Sequence, residues 1–348
     1  MSAQAVATIR AAQRLRWKRK HVKPVAIDLM GGDSGPAVIV EGVLEALESS
    51  DGDIVVVGTK EACRPLEGNA RVRVVHASEE ILMSDDPATA PRRKRDASMV
   101  VGATLLKEQQ VSALITFGNS GAAMATALVK VGRIRGVARP AITVEIPVPG
   151  TTSTILLDSG ANTEVTPAWL HQFAVMGSVF CAARLNIDRP RVGLLSIGEE
   201  PGKGNTLVKE TYQLLVDEPA IHFIGNVEGR DVMSDRVDVV VTDGFTGNVV
   251  LKSLEGAARL FAHAVLDALS AGDDGVIDLA LPKLLPLWNQ MTPDDTGAAA
   301  LLGVNGLFLI GHGASNARAV ASAVRNARQL DQADVVETIR RLEGSTGE

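Results

Sequence analysis

Aromatic residues make up only 3% of this 348-residue chain, and its two cysteines, Cys63 and Cys181, stand far apart. With so few rings, the core must be filled by Val, Leu, Ile and Ala, which suits short buried strands covered by helices on both faces. Two cysteines outside any CxxC pair support neither a disulfide framework nor a zinc site, and they fit a reducing cytoplasm. The six histidines show no HxxxH or HExxH spacing, so the signature of metal-dependent hydrolysis is missing and no metal or cofactor is expected. No apolar run reaches the roughly 20 residues of a membrane-spanning helix. The N-terminus also lacks the uninterrupted apolar segment of a secretory signal.

Acid is missing from residues 1–23, which hold seven of the 35 basic residues; the other 28 face 41 acids, so the body carries −13 against −6 for the whole chain. This basic extension fits a helix on anionic lipid, a transit-like peptide or a disordered arm. Nucleic acid is not an expected partner, because the acidic body would repel its backbone.

Short apolar runs alternate with helical patterns along the rest. Strands are expected at 24–29, 53–58, 72–76, 113–117, 141–146, 153–158, 192–197, 222–225 and 237–242. Helices are expected at 36–48, 97–107, 121–131, 167–185, 206–216 and 249–269. Strand-then-helix repetition implies an α/β fold with a mainly parallel sheet and helices on both sides, read as a single domain over 24–348. Residues 254–288 break the rhythm with two apolar helical pieces, 254–269 and 277–287. Such a hairpin is a packing or dimer element, or its tip touches lipid or an acyl chain.

The most informative stretch is Arg191 to Asn205, where an apolar strand runs into a turn with Gly198, Gly202, Lys203 and Gly204. Glycines allow backbone amides to approach an anion, and lysine adds a compact positive charge. A helix expected from Thr206 would point its positive end at the same place. Only three residues separate Gly198 from Gly202-Lys203, and Gly204 stands where a Walker A loop needs Ser or Thr, so this is not that nucleotide loop. Four further turns share the character: Asp28 to Asp33 with Gly31 and Gly32, Phe117 to Gly121 with Asn119 and Ser120, Asp158 to Asn162, and Asp243 to Asn248 with Thr246 and Gly247. Turns of this kind at the carboxyl ends of parallel strands are expected to gather around a ligand. Gly311-His312-Gly313 begins like GxGxxG, but Asn316 replaces the third glycine. Ser120 and Ser315 both miss the last glycine of GxSxG.

With no assured protein nucleophile, inorganic phosphate itself can attack a bound electrophile, held by amides, hydroxyls, Asn side chains and Lys203. A thioester would suit, because its thiol leaving group has a pKa of about 8.5 and needs little acid assistance. Asn248 or a turn amide could then donate to the developing oxyanion.

The ordered segments Ile27–Asp33, Arg92–Met99, Gly118–Ala122, Leu157–Asn162, Gln172–Ser178, Arg191–Asn205, Gly225–Asp231, Thr242–Val249, Leu301–Gly306 and Gly311–Asn316 closely resemble the bacterial acyl carrier protein:phosphate acyltransferases of phospholipid synthesis. The resemblance covers nearly all of residues 24–328. It implies a three-layer α/β/α, phosphotransacetylase-like fold with a protruding helical hairpin. It also implies conversion of acyl-(acyl carrier protein) and phosphate to acyl phosphate and free carrier protein. Further implications are a homodimer, a cytoplasmic enzyme peripherally associated with the membrane, and a link to a membrane glycerol-3-phosphate acyltransferase. The family's catalytic lysine and asparagine fall on Lys203 and Asn248.

Phosphate and substrate binding is expected from Asp28, Gly31, Gly32, Asp33, Asn119, Ser120, Gly121, Asp158, Asn162, Gly204, Asn205, Asp243, Thr246, Gly247, His312 and Asn316. Ser120, Ser159 and Ala314 depart from the family's usual Thr, Val and Ser, and the extension before Lys23 lies outside the shared pattern. An acidic carrier needs a basic landing surface; Arg92, Arg93, Lys94 and Arg95 are expected to supply it, with Arg133, Arg135 and Arg139 a second such cluster. Two other readings stay open: a phosphotransacetylase acting on acyl-CoA, and a non-catalytic scaffold for lipid and carrier protein.

Overall fold

The computed structural model describes residues 23–270, 274–291 and 296–344; the basic segment 1–22 and the hairpin joint at 271–273 lie outside the described residues. Short helical turns aside, the first half runs β1 (Val25–Asp28), α1 (Pro36–Ser49), β2 (Ile54–Gly58), β3 (Val72–His76), α2 (Ser98–Lys107), β4 (Ala113–Thr116), α3 (Ser120–Thr126), β5 (Ala141–Ile146), β6 (Thr154–Leu157) and α4 (Pro167–Leu185). The second half runs β7 (Arg191–Leu195), α5 (Thr206–Val216), β8 (His222–Val227), β9 (Val239–Val241), α6 (Gly244–Ser270), α7 (Asp274–Met291), β10 (Ala299–Leu302), β11 (Leu307–Ile310), α8 (Ala317–Gln332) and α9 (Val335–Gly344).

The strands form one eleven-stranded sheet in the order β3-β2-β1-β4-β11-β10-β5-β6-β9-β7-β8. Side-chain alternation explains why the sheet is covered on both faces. Val25 and Ile27 of β1 pack toward α1, α4 and α8, among Val43, Phe173 and Val324. Ala26, between them, points the other way toward Met99 and Ala103 of α2 and Ala122 of α3. Farther along that second face, Leu156, Leu195 and Val240 receive Val250, Leu251 and Leu254 of α6. Each fully buried Leu, Ile or Val contributes about 1.5–3 kcal/mol. The scarcity of rings is therefore met by many aliphatic contacts.

All nine expected strands form. The sequence reading missed β10, β11, α8 and α9. Residues 299–310 are two four-residue apolar stretches around Gly303 and Gly306, too short to show a period, and they fold as an antiparallel hairpin with Ala300 opposite Leu309. β10 also pairs antiparallel with β5, and β5 with β6, whereas the remaining pairings are parallel. The sheet is thus mainly parallel, but three reversals make β6, β9, β7 and β8 run opposite to β1, β4 and β11. The helix expected at 249–269 starts five residues earlier, at Gly244. α7 is longer than expected and carries Pro282 and Pro286 inside it.

Candidate active site

The strand reversal divides the glycine turns into two groups. In the first, the turns after β1, β4 and β11 meet. Gly31, at φ 96°, lies so close to Gly118 that a β-carbon on it would sit 2.8 Å from the Gly118 Cα. The Asp33 N–H donates to the Gly313 carbonyl at 2.8 Å, and the Gly311 N–H to Thr116. Asp28 is buried at the end of β1, accepting from Thr116 Oγ1 at 2.8 Å and from the Met30 N–H at 3.0 Å. Burial raises its carboxyl to about 6, against the lowering effect of those hydrogen bonds.

The second group follows β6, β9 and β7, three adjacent strands. Asp158 is fully buried, and its two oxygens accept from the N–H groups of Ile142, Gly160, Ala161 and Asn162 and from Asn162 Nδ2, at 2.7–3.2 Å. Desolvation raises its pKa, opposed by these same donors. Asn162 also reaches the Pro140 carbonyl, and its own carbonyl accepts from the Gly244 N–H. Gly247 lies with its Cα almost against the Asp158 carbonyl, leaving no room for a side chain. Asp243 caps α6 by accepting from the N–H and hydroxyl of Thr246 at 2.8 and 2.7 Å. This lattice sets the first turn of α6 over Gly160, where a β-carbon would stand 3.8 Å from the Asn248 carboxamide.

The turn after β7 carries the lysine. The Lys203 N–H donates to the Glu200 carbonyl at 3.0 Å, and its side-chain stem crosses Gly198, where a β-carbon would meet Lys203 Cγ at 2.9 Å. Gly204, at φ 95°, adopts a conformation only glycine enters cheaply. Asn205 then caps α5, its Oδ1 accepting from the Val208 N–H. Two glutamates, Glu199 and Glu200, share this turn with the lysine. Glu199 is drawn away into a bidentate pair with Arg236, assisted by Arg230, which holds its carboxyl at about 2.

The expected site residues therefore separate by what their side chains already do. Asn119, Asn205 and Asn316 each spend Oδ1 on a helix N-cap, and Asn119 Nδ2 donates to the Met83 carbonyl. Asp158, Asn162, Asp243 and Thr246 build the backbone of the second group. His312 accepts from the Ala314 N–H through Nδ1, and Gly121 packs against Pro87. Gly32 faces Ile39, Asp33 lies against Gly313, and Ser120 is exposed on the first turn of α3. Lys203 and Asn248 are exposed, as are Asp33 and Ser120, and among the described residues none of these four side chains has a hydrogen-bond or ion-pair partner.

Of the basic run, Arg92, Arg93 and Arg95 are exposed, but Lys94 is half-buried, paired with Asp85 at 2.6 Å and bonded to the Glu80 carbonyl. The run follows Pro87, which packs on Gly121, and so borders the first group. Arg133, Arg135 and Arg139 precede Pro140 and border the second; Arg139 stacks over Trp169 at 4.9 Å. Sequence reasoning did not single out Arg236 or Asn226; their only signal was that Asn226 falls in the quoted Gly225–Asp231 segment. Among the described residues no cluster of His, Cys, Asp and Glu could hold a metal ion, and no helix is long and apolar enough to cross a membrane.

A phosphotransacetylase from Streptococcus pyogenes shares the fold at TM-score 0.60 and 14% identity, covering 97% of this chain and all of that one. Phosphate acyltransferases are the near relatives: 45% identity over 325 residues with that of Heliobacterium modesticaldum, 91% of this chain and 96% of the relative, and 42% over 319 residues with that of Bacillus cytotoxicus, 90% and 96%. Fold and relatives together make this an acyltransferase with a phosphotransacetylase-like architecture. More specifically, residues 23–338 match the fatty acid synthesis protein family, and the chain belongs to it.

Proposed function

We propose that the chain transfers the acyl group of an acyl-(acyl carrier protein) to inorganic phosphate, as the first step toward phosphatidic acid. A phosphate oxygen attacks the thioester carbonyl carbon. The carbon–sulfur bond breaks, acyl phosphate forms, and the proton of hydrogen phosphate ends on the carrier thiol. Lys203 binds and orients phosphate, and Asn248 donates to the carbonyl oxygen as charge develops there. The observation that carries this reading is the placement of two unengaged side chains, Lys203 and Asn248, on turns after the neighbouring strands β7 and β9, beside the hydrogen-bonded lattice of Asp158 and Asp243. The remaining turn residues bind and shape the substrate site.

The hairpin formed by α6 and α7 exposes Leu260 and Phe261 at 72% each and Leu279 at 75%. Such an apolar surface suits a second subunit and peripheral contact with an anionic membrane, where a glycerol-3-phosphate acyltransferase would consume the product. The proposed location is thus the cytoplasmic face of the membrane. Arg92, Arg93 and Arg95 supply the proposed carrier contact, Lys94 being tied to Asp85.

Thiol release from a long-chain acyl carrier protein, followed with and without phosphate, tests the reaction: release should require phosphate, and phosphate-independent release would overturn it. Lys203→Ala and Asn248→Ala should each lower kcat/KM by about 10²–10³. Equal rates with acyl-CoA would favour the phosphotransacetylase reading instead.

A further inference from the structure

We infer that Asn226 is a positioning residue that fixes the Gly198–Asn205 turn and, through it, Lys203. The inference rests on the proposed role of that lysine. Asn226 lies on β8, opposite Leu194 of β7, and is 2% exposed. Its Nδ2 donates to the Glu200 carbonyl at 2.9 Å. That same oxygen accepts the Lys203 N–H at 3.0 Å. One carbonyl thus joins the backbone of the lysine to a buried side chain of the sheet.

A second observation makes the arrangement unusual. Asn226 Oδ1 is buried without a hydrogen-bond partner, and so is Ser196 Oγ, at the base of the same turn. A β-carbon on Gly204 would lie 3.0 Å from that hydroxyl. Only four buried side-chain polar atoms among the described residues lack a partner, the others being on Ser112 and Thr143, and two of the four underlie this one turn. Buried polar groups without partners are costly, and an apolar side chain of similar volume would remove the cost. The carboxamide is therefore explained by what its other end holds. The turn is pinned from two sides, Glu199 outward to Arg236 and Glu200 inward to Asn226. Lys203 follows them, its stem lying across Gly198.

The test uses the full chain with Asn226→Leu, Asn226→Asp, Lys203→Ala and the double variant Lys203→Ala/Asn226→Leu, assayed for phosphate-dependent thiol release across phosphate concentrations. Asn226→Leu should keep the parent's melting temperature and lose about 10–100-fold in kcat/KM for phosphate, the range expected of a displaced catalytic group. The double variant should be no slower than Lys203→Ala, because the asparagine acts only through the lysine. Asn226→Asp can donate to the Glu200 carbonyl only when protonated, so its activity relative to the parent should rise as pH falls. Parental phosphate kinetics in Asn226→Leu, or additive losses in the double variant, would overturn the inference while leaving Lys203 in place. Full activity of Lys203→Ala would instead remove the proposed catalytic role, and this inference with it. Should Asn226→Leu not fold, the pH-dependent ratio of Asn226→Asp to the parent decides alone, a flat ratio overturning the inference.

Discussion

A β-carbon at Gly247 would fall 2.0 Å from the Asp158 carbonyl oxygen, and at Gly244 2.8 Å from an Asp158 carboxylate oxygen. Those contacts let the first turn of α6 lie on the Asp158 turn with nothing between them. Gly247→Ala should therefore displace α6 from the sheet, cost about 3 kcal/mol or more in urea unfolding, and lower activity because Asn248 moves with the helix. These glycines were visible in the sequence as members of turns. Their partner across the fold was not, because Asp158 and Gly247 are 89 positions apart and no local pattern encodes that approach.

At the scale of elements, helix capping does much of the positioning. Asn205 ends the lysine turn and begins α5 with one side chain, so Asn205→Ala should cost about 1 kcal/mol of stability and loosen the turn, seen as faster amide exchange at 206–209. β7 itself is fastened at its start: Asp238, 4% exposed, accepts from the Arg191 backbone and from two guanidinium nitrogens at 2.7–2.9 Å. Burial pushes the Asp238 carboxyl up, but the Arg191 bonds outweigh it and leave it lowered. Asp238→Asn should destabilise by about 3 kcal/mol, the low end for a buried pair because Arg191 is partly open to water.

Across the whole molecule, the C-terminal helix α9 is tied to α4 by Glu343, which accepts from Gln172 Nε2 at 2.5 Å. Burial first, and then the charge of Glu218, raise the Glu343 carboxyl from 4.5 to about 7, against the Gln172 bond. The native state therefore holds a proton the unfolded chain gives up. The associated stability is present below about pH 4.5 and is lost as pH rises through about 7. Thermal midpoints of the parent should fall between pH 5 and pH 8 relative to Glu343→Gln, which cannot ionise; parallel curves would count against this.

The sequence by itself determined the strand and helix rhythm, the aliphatic core and the five glycine turns, because each follows from local periodicity and backbone freedom. Lys203 and Asn248 stand out in the sequence as members of such turns, and the catalytic roles proposed for them are for the kinetic variants to test. Only the tertiary structure decided that the turns fall into two groups: the β10–β11 hairpin and its pairing with β5 reverse direction twice and cancel, and the antiparallel pairing of β5 with β6 turns β6, β9, β7 and β8 the other way. The fold likewise decided that Asn119, Asn205 and Asn316 cap helices, that Lys94 pairs with Asp85, and that Asn226 holds the lysine turn from below. Capping, pairing and burial depend on which groups meet in space, and no residue's identity carries that information alone.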